Sequence, residues 1–315
     1  MMWPIHPHPF EDELLSSWMI RVAHANRYKV HDFYAQQLGK EKQIWTRDID
    51  HFAPKWLLGE LSNCSGVNFR AIESTSLSSF CGILIEDLRS NGITKGILPL
   101  GVYHRLRRFN GQLFCPYCLD DGEPYFRKSW RVAYLTVCPK HFTYLRDCCS
   151  QCHQPVLPFR CDMVNKVQLP IHLDLAKCWY CDANLRLQKT KLATYAEIRF
   201  SSKIQFALNN NYVYIKESYI PSIVFFKGIR VLAQGLQRIN KNLDKNKNKQ
   251  TELMKLSVRR ELYWKVSLFL LDWPDQFKIF AEEIPHPFTT FILRSNESCA
   301  PNWVCKALVN PLNKT

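Results

Sequence analysis

Eight residues between positions 115 and 181 have the types and spacing to bind metal. They read as four pairs, Cys115-Pro-Tyr-Cys118, Cys138-Pro-Lys-His141, Cys149-Ser-Gln-Cys152 and Cys178-Trp-Tyr-Cys181. A two-residue gap lets both side chains of a tight turn point at one ion. Two such turns brought face to face close a tetrahedral site of the kind zinc prefers with thiolate and imidazole ligands. The order assigns Cys115, Cys118, Cys138 and His141 to one ion and Cys149, Cys152, Cys178 and Cys181 to a second. The pairs are separated by 19 and 25 intervening residues. Four ordered pairs are far more specific than a lone CxxC. The alternative is a set of disulfides, which would need an oxidising compartment. Cys148 adjoins Cys149 and competes with it, but the CSQC spacing favours Cys149. Cys64, Cys81, Cys161, Cys299 and Cys305 read as buried apolar residues.

The chain has 315 residues, 46% of them hydrophobic, enough for two or three domains with real cores. The opening MMWPIHPHPFEDELLSSW has neither a basic leader nor a 7–15-residue apolar run, and no 18-residue uncharged apolar stretch follows. A soluble protein of the reducing cytoplasm, associated with the nucleoid when bound to DNA complexes, is therefore expected. The net charge of +14 and pI near 9.2 point to a polyanionic partner, nucleic acid first; the alternative is an acidic protein.

The elements around these pairs read as mainly α. Three segments are expected: an N-terminal helical domain with a helix-turn-helix-like unit over 1–110, two zinc-ribbon-like modules over 111–190, and a C-terminal helical domain over 191–315. The first helix is expected near Asp12, with Glu11, Asp12 and Glu13 at its positive end and Leu15, Trp18, Val22 and Ala25 on one apolar stripe. Arg21 lies off that stripe and is expected to be exposed, facing a partner or solvent. A second helix spans Val30–Leu38, closed by Gly39. Trp56, Leu57, Leu58 and Leu61, a turn at Ser65-Gly66, and a helix capped by Asn68 carrying Phe69, Ile72 and Leu77 make helix, glycine turn, helix. That arrangement either places Arg70 in a major groove or is a structural helical pair. Arg105, Arg107 and Arg108 before the first metal pair, and Arg127, Lys128 and Arg131 within it, are candidate phosphate or partner contacts; a solvated linker face is the alternative for the first three. Trp130 and Tyr134 are expected to pack over the metal. Helices are expected over Tyr195–Leu208, Tyr219–Ile239 and Thr251–Leu271, the last with Arg259 and Arg260 exposed, and one more from Pro274. Between them, 240–250 reads as a mobile basic loop.

The order of these motifs resembles the TniQ family of transposition targeting proteins. Pro7, Pro9, Glu13-Leu-Leu-Ser-Ser-Trp18, Arg21 and Ala23 match its N-terminal pattern. Cys115-Pro-Tyr-Cys118, Tyr125-Phe-Arg-Lys-Ser-Trp-Arg131 and Cys138-Pro-Lys-His141 resemble its first finger, and Cys149-x-x-Cys152 with Cys178-x-x-Cys181 its second. The similarity runs over about residues 4–185. It implies a non-catalytic adaptor of DNA integration that carries two zinc ions. Its partners would be an AAA+ ATPase regulator, target DNA, a CRISPR Cascade complex with guide RNA, and a second copy of itself, with no membrane. Longer relatives, called TnsD, select an attachment site by binding DNA directly, but the C-terminal extension expected of them is not evident here. Against an enzyme, each metal set has four protein ligands and leaves no open position, and no HExxH, Walker motif or acidic triad occurs.

Overall fold

The computed structural model describes residues 2–42, 44–89, 92–103, 106–107, 110–162, 174–239, 250–283 and 300–308; residues 102, 103, 106 and 107 are described by backbone alone. The described residues hold ten α-helices and two two-stranded antiparallel hairpins, so the fold is mainly α. They pack as two compact units, each discontinuous in sequence. One comprises Met1–Cys81, Asp87–Val132 and Thr143–Lys191; the other comprises Gly82–Glu86, Ala133–Phe142 and Leu192–Thr315. This partition follows packing, whereas the three segments expected from sequence follow motifs along the chain.

In the first unit, α1 (Leu15–Ala25) starts three residues after Asp12. Residues Leu15 through Ala23 are all buried, so α1 is a central helix and not the one-sided surface helix expected. The acidic residues before it do not sit in its first turn. Asp12 adopts a positive φ of 60° and accepts from the Ser129 backbone N–H at 3.2 Å and the Ser129 hydroxyl at 2.5 Å. Leu14 N–H donates to Phe126 O at 2.9 Å, and Lys128 N–H to Asp12 O at 2.7 Å. Burying polar Ser16 and Ser17 requires partners. Ser16 gives its backbone N–H and hydroxyl to Asp50 at 2.7 and 2.8 Å, and Ser17 gives its hydroxyl to Glu13 at 2.9 Å.

Helix α2 (Val30–Leu38) ends at Gly39, whose φ of 100° an L side chain rarely adopts. Helix α3 (Lys55–Ser65) ends at left-handed Gly66, and Asn68 caps α4 by accepting from Arg70 N–H at 2.9 Å. Helix α4 is short, Phe69–Glu73, and stops before the expected Leu77, which instead opens a 3-10 turn over Leu77–Phe80. Ser74, Thr75 and Ser76 each turn their hydroxyls back to carbonyls three residues earlier, at 2.7, 2.6 and 2.8 Å, and so compete with helix continuation. Strands β1 (Val102–Tyr103) and β2 (Leu106–Arg107) form a hairpin, and α5 (Pro116–Asp120) carries proline in its first turn.

The second unit is built on α6 (Tyr195–Asn210), α7 (Ser222–Ile239) and α8 (Leu256–Leu271), followed by α9 (Asp275–Glu283) and α10 (Asn302–Leu308). Thr194 and Glu197 form a reciprocal capping box on α6. The segment 219–221, expected to open a helix, instead belongs to strand β4 (Ser218–Pro221), paired with β3 (Tyr212–Ile215). Alternating burial on β3 favours that period over a helical one. Tyr134 stacks on Phe226, with ring centroids 5.5 Å apart, and meets Tyr263 edge-on at 5.6 Å, so it serves this helical core. Gly228 on α7 lies against Trp303; a Cβ there would sit 2.0 Å from the indole. Arg259, expected on the surface, is 1% exposed and donates to Ala133 O at 3.0 Å. The basic stretch 240–249 and Cys299 lie outside the described residues.

Candidate metal centres

Three of the four ligand pairs fold into the same turn. Phe142 N–H donates to Cys138 O at 2.8 Å, His153 N–H to Cys149 O at 3.0 Å, and Asp182 N–H to Cys178 O at 3.0 Å. In each, the residue four positions after the first cysteine is left-handed, with φ of 58°. That reversal turns the two ligand side chains inward. In the Cys138–His141 turn, His141 N–H also donates to Cys138 Sγ at 3.4 Å. The second set has two such turns, each held at its base by an antiparallel bridge, Cys148↔Pro155 and Lys177↔Asn184. This is the zinc-ribbon-like hairpin the spacing predicts. Cys115 differs: it precedes α5, so Cys118 reaches the site from a helical turn.

The ligand atoms of Cys115, Cys118, Cys138 and His141 lie within 4.8 Å of one another, and so do those of Cys149, Cys152, Cys178 and Cys181. Cys149 Sγ and Cys181 Sγ are 3.7 Å apart, and Cys152 Sγ and Cys178 Sγ 3.6 Å. A disulfide needs about 2.05 Å. Thiolates tetrahedrally bound at about 2.3 Å stand about 3.8 Å apart. The separations therefore fit a shared metal ion, and no disulfide joins the cysteines among the described residues. Gln188 Nε2 donates to Cys149 Sγ at 3.4 Å, a supporting contact that spacing alone does not reveal. Burial opposes ionisation of Cys149, but N–H bonds from Cys152 and Gln151 and the neighbouring thiols outweigh it and pull the group down to about 7. Burial pushes Cys178 up. Cys148 is not in either set, as the spacing predicts.

The basic candidates have different fates. Arg21, expected to be exposed, is 6% exposed. Its guanidinium pairs with Glu13 at 2.7 Å and Glu123 at 2.8 Å, donates to His8 O at 3.3 Å, and lies 3.7 Å over the Phe10 ring. The physical reason is α1's central position: a charge on it must be neutralised internally. Burial raises Glu13 to about 7 despite Arg21. Arg131 is fully buried, giving Nε and Nη2 to Leu98 O at 3.1 and 2.8 Å, pairing with Asp48 at 2.5 Å and facing Asp50 at 3.6 Å. Arg127 is half-buried over the rings of Tyr125 and Trp130. Lys128 donates to Ser74 O at 2.5 Å and Ser79 Oγ at 3.1 Å, and burial lowers its ammonium. Arg70 on α4 is exposed. Arg105 and Arg108 lie outside the described residues, and Arg107 is described only as backbone in β2. Trp130 is buried, with its ring against Phe126 and Arg127.

Sequence spacing misses one group. His24, Cys161 and Asp162, 137 or more residues apart along the chain from His24 to the other two, bring their ligand atoms within 4.8 Å. Cys161 lies in no CxxC pair, so only folding joins it to His24. No helix among the described residues is long and apolar enough to cross a membrane.

A search of curated proteins gives no match. Residues 4–145 match the TniQ family model, a segment that includes Glu13, Ser17 and Arg21, the Tyr125–Arg131 stretch and the first four-ligand set, and that ends before the second. On that match residues 4–145 of the chain form a TniQ family domain.

Proposed function

We propose that this chain is a non-catalytic target-selection adaptor of DNA transposition. It links a target-bound complex, in the leading version an RNA-guided Cascade, to an AAA+ ATPase regulator and so to the transposase. The TniQ domain carries a transposition-associated targeting role. One structural observation supports the adaptor form: the family motifs are spent on each other. Leu14 N–H bonds to Phe126 O, Phe126 N–H to Ser17 Oγ at 2.9 Å, Asp12 to Ser129, Arg21 to Glu123, and Phe10 packs on Tyr125 at 4.9 Å. Motifs devoted to internal packing hold a scaffold in shape and leave its surface for partners, whereas a catalytic motif would aim acids, bases or nucleophiles at a reacting atom.

Zinc is the metal this reading assigns to both four-ligand sets, one ion each. Their all-thiolate and Cys3His donors and their closed coordination suit a structural ion that supplies folding energy. The three sequence segments, 1–110, 111–190 and 191–315, are proposed as the functional divisions, with a cytoplasmic, nucleoid-associated setting and a second copy of the chain as a further partner. The residues left for nucleic-acid or partner contact are led by exposed Arg70, with Arg105, Arg107 and Arg108 proposed beside it.

The second reading is a TnsD-like selector that binds its attachment site directly. The +14 charge and the exposed Arg70 favour it. The five-residue α4, about 7.5 Å long at 1.5 Å per residue, gives it little recognition helix. The deciding experiment is co-purification of tagged chain with the products of its genomic neighbours, followed by identification of bound protein and RNA. Recovery of an AAA+ ATPase and a guide-bearing complex is expected. No such partners, together with sequence-selective binding of naked duplex at physiological salt, would establish the second reading.

A further inference from the structure

We propose that His24, Cys161 and Asp162 form a third metal site, taking one divalent transition-metal ion in addition to the two four-ligand sets. His24 stands in the last turn of α1, and Cys161 and Asp162 follow the 3-10 turn Pro158–Arg160. Their ligand atoms lie within 4.8 Å of one another. His24 Nε2 is 3.2 Å from Asp162 Oδ2 and 3.9 Å from Cys161 Sγ. Ligands held tetrahedrally at zinc's usual bond lengths stand about 3.3 Å apart for nitrogen and oxygen and about 3.6 Å for nitrogen and sulfur. A small inward shift of Cys161 would complete that geometry.

Asp162 supplies the second, independent observation. It is 3% exposed. Its Oδ2 accepts the Val30 N–H at 2.7 Å, which also ties the site to the start of α2. Its Oδ1 is buried and has no hydrogen-bond partner among the described residues. A buried carboxylate oxygen left without a donor is costly, and a cation satisfies it. A plain His24–Asp162 hydrogen bond accounts for one of the contacts, but neither for the thiol placed beside the imidazole nor for the oxygen that has no partner among the described residues. Nitrogen, sulfur and oxygen donors together suit zinc or cobalt better than magnesium or calcium. Three protein ligands leave a fourth position for water or a small ligand.

The test uses the full chain, prepared under reducing conditions and dialysed against a weak chelator. It reads the difference in bound zinc between wild type and Cys161→Ser by elemental analysis, with Co2+ titration followed in the thiolate-to-cobalt absorption bands. One fewer zinc per chain in Cys161→Ser and loss of one set of cobalt bands are expected, with far-UV circular dichroism unchanged. Asp162→Asn keeps an acceptor for Val30 but removes the charge, and should weaken Co2+ binding at this site tenfold or more. Should Cys161→Ser not fold, Asp162→Asn and His24→Gln carry the same comparison. Equal zinc content and equal cobalt spectra in wild type and the folded variants would overturn the proposal and leave the trio a hydrogen-bonded cluster. Because the readout is a difference at this site, its failure is distinct from failure of the adaptor reading or of the four-ligand sites.

Discussion

Replacing Arg131 with alanine discriminates most sharply between what its sequence context suggests and what its surroundings do. Arg131 is completely buried, with Asp48 at 2.5 Å, Asp50 at 3.6 Å and Leu98 O at 2.8 Å. Asp50 is itself 2% exposed and is held by both Ser16 donors. Removing one partner of a buried ion pair costs about 3–5 kcal/mol, because the remaining charge stays buried. Leu98 O also loses two donors, worth about 1 kcal/mol each net. For a unit of this size roughly 2–4 °C of Tm accompanies each kcal/mol, so Arg131→Ala should lower Tm by roughly 10–30 °C. The deficit should depend on pH. Burial, then the Asp48 charge, already raises Asp50 to about 6 against the pull of Arg131. Without Arg131 the carboxyl rises further, so the folded variant takes up a proton and its deficit shrinks as pH falls. Differential scanning calorimetry of wild type, Arg131→Ala and Arg131→Ala with Asp50→Asn at pH 5.5 and 8 reads all of this, and the double variant should recover part of the loss. A single variant as stable as wild type, with a duplex-binding salt slope lower by about one, would refute the structural role and restore Arg131 as a phosphate contact.

Further outcomes follow from the same contacts. Cys118→Ser and Cys178→Ser should each release one zinc per chain and lower solubility, read by elemental analysis; two full zinc sites in either variant would break the ligand pairing. Glu13 has a folded pKa raised from 4.5 to about 7, so the folded state binds the extra proton between those values and stability from this group falls as pH rises through the window, by up to about 1.4 kcal/mol per pH unit. Glu13→Gln should flatten that part of the Tm–pH curve, and an unchanged slope would show that Arg21 keeps Glu13 ionised throughout. Arg21→Glu should unfold the first unit rather than only block a partner, since it sets a second carboxylate against Glu13; normal folding with lost ATPase recruitment would return Arg21 to the surface. Non-specific duplex binding should be measurable at low salt and fall steeply by physiological salt, with Arg70→Ala reducing the salt slope by about one.

Features whose physics is local are legible in the order of residues alone. A two-residue gap between candidate ligands sets a turn, so the grouping of these eight residues into two four-residue clusters, with Cys149 and not Cys148 in the second, is readable from spacing. Gly39 closing α2 and Asn68 capping α4 were readable for the same reason, because a positive φ or a capping oxygen acts within a few residues. Tertiary structure decided what lies far apart in the chain. Arg21 and Arg131 look like any basic surface residues until Glu13, Glu123, Asp48 and Asp50 are folded against them, and burial in a low-dielectric core then makes them structural charges. The acidic run at 11–13, read as a helix-dipole motif, became a docking edge for residues 126–129 because α1 is enclosed on every side. Segment 219–221 went to a hairpin because a partner strand was available seven residues before. The His24, Cys161 and Asp162 cluster has no sequence period at all; it exists only because the turn after Phe159 packs against the end of α1.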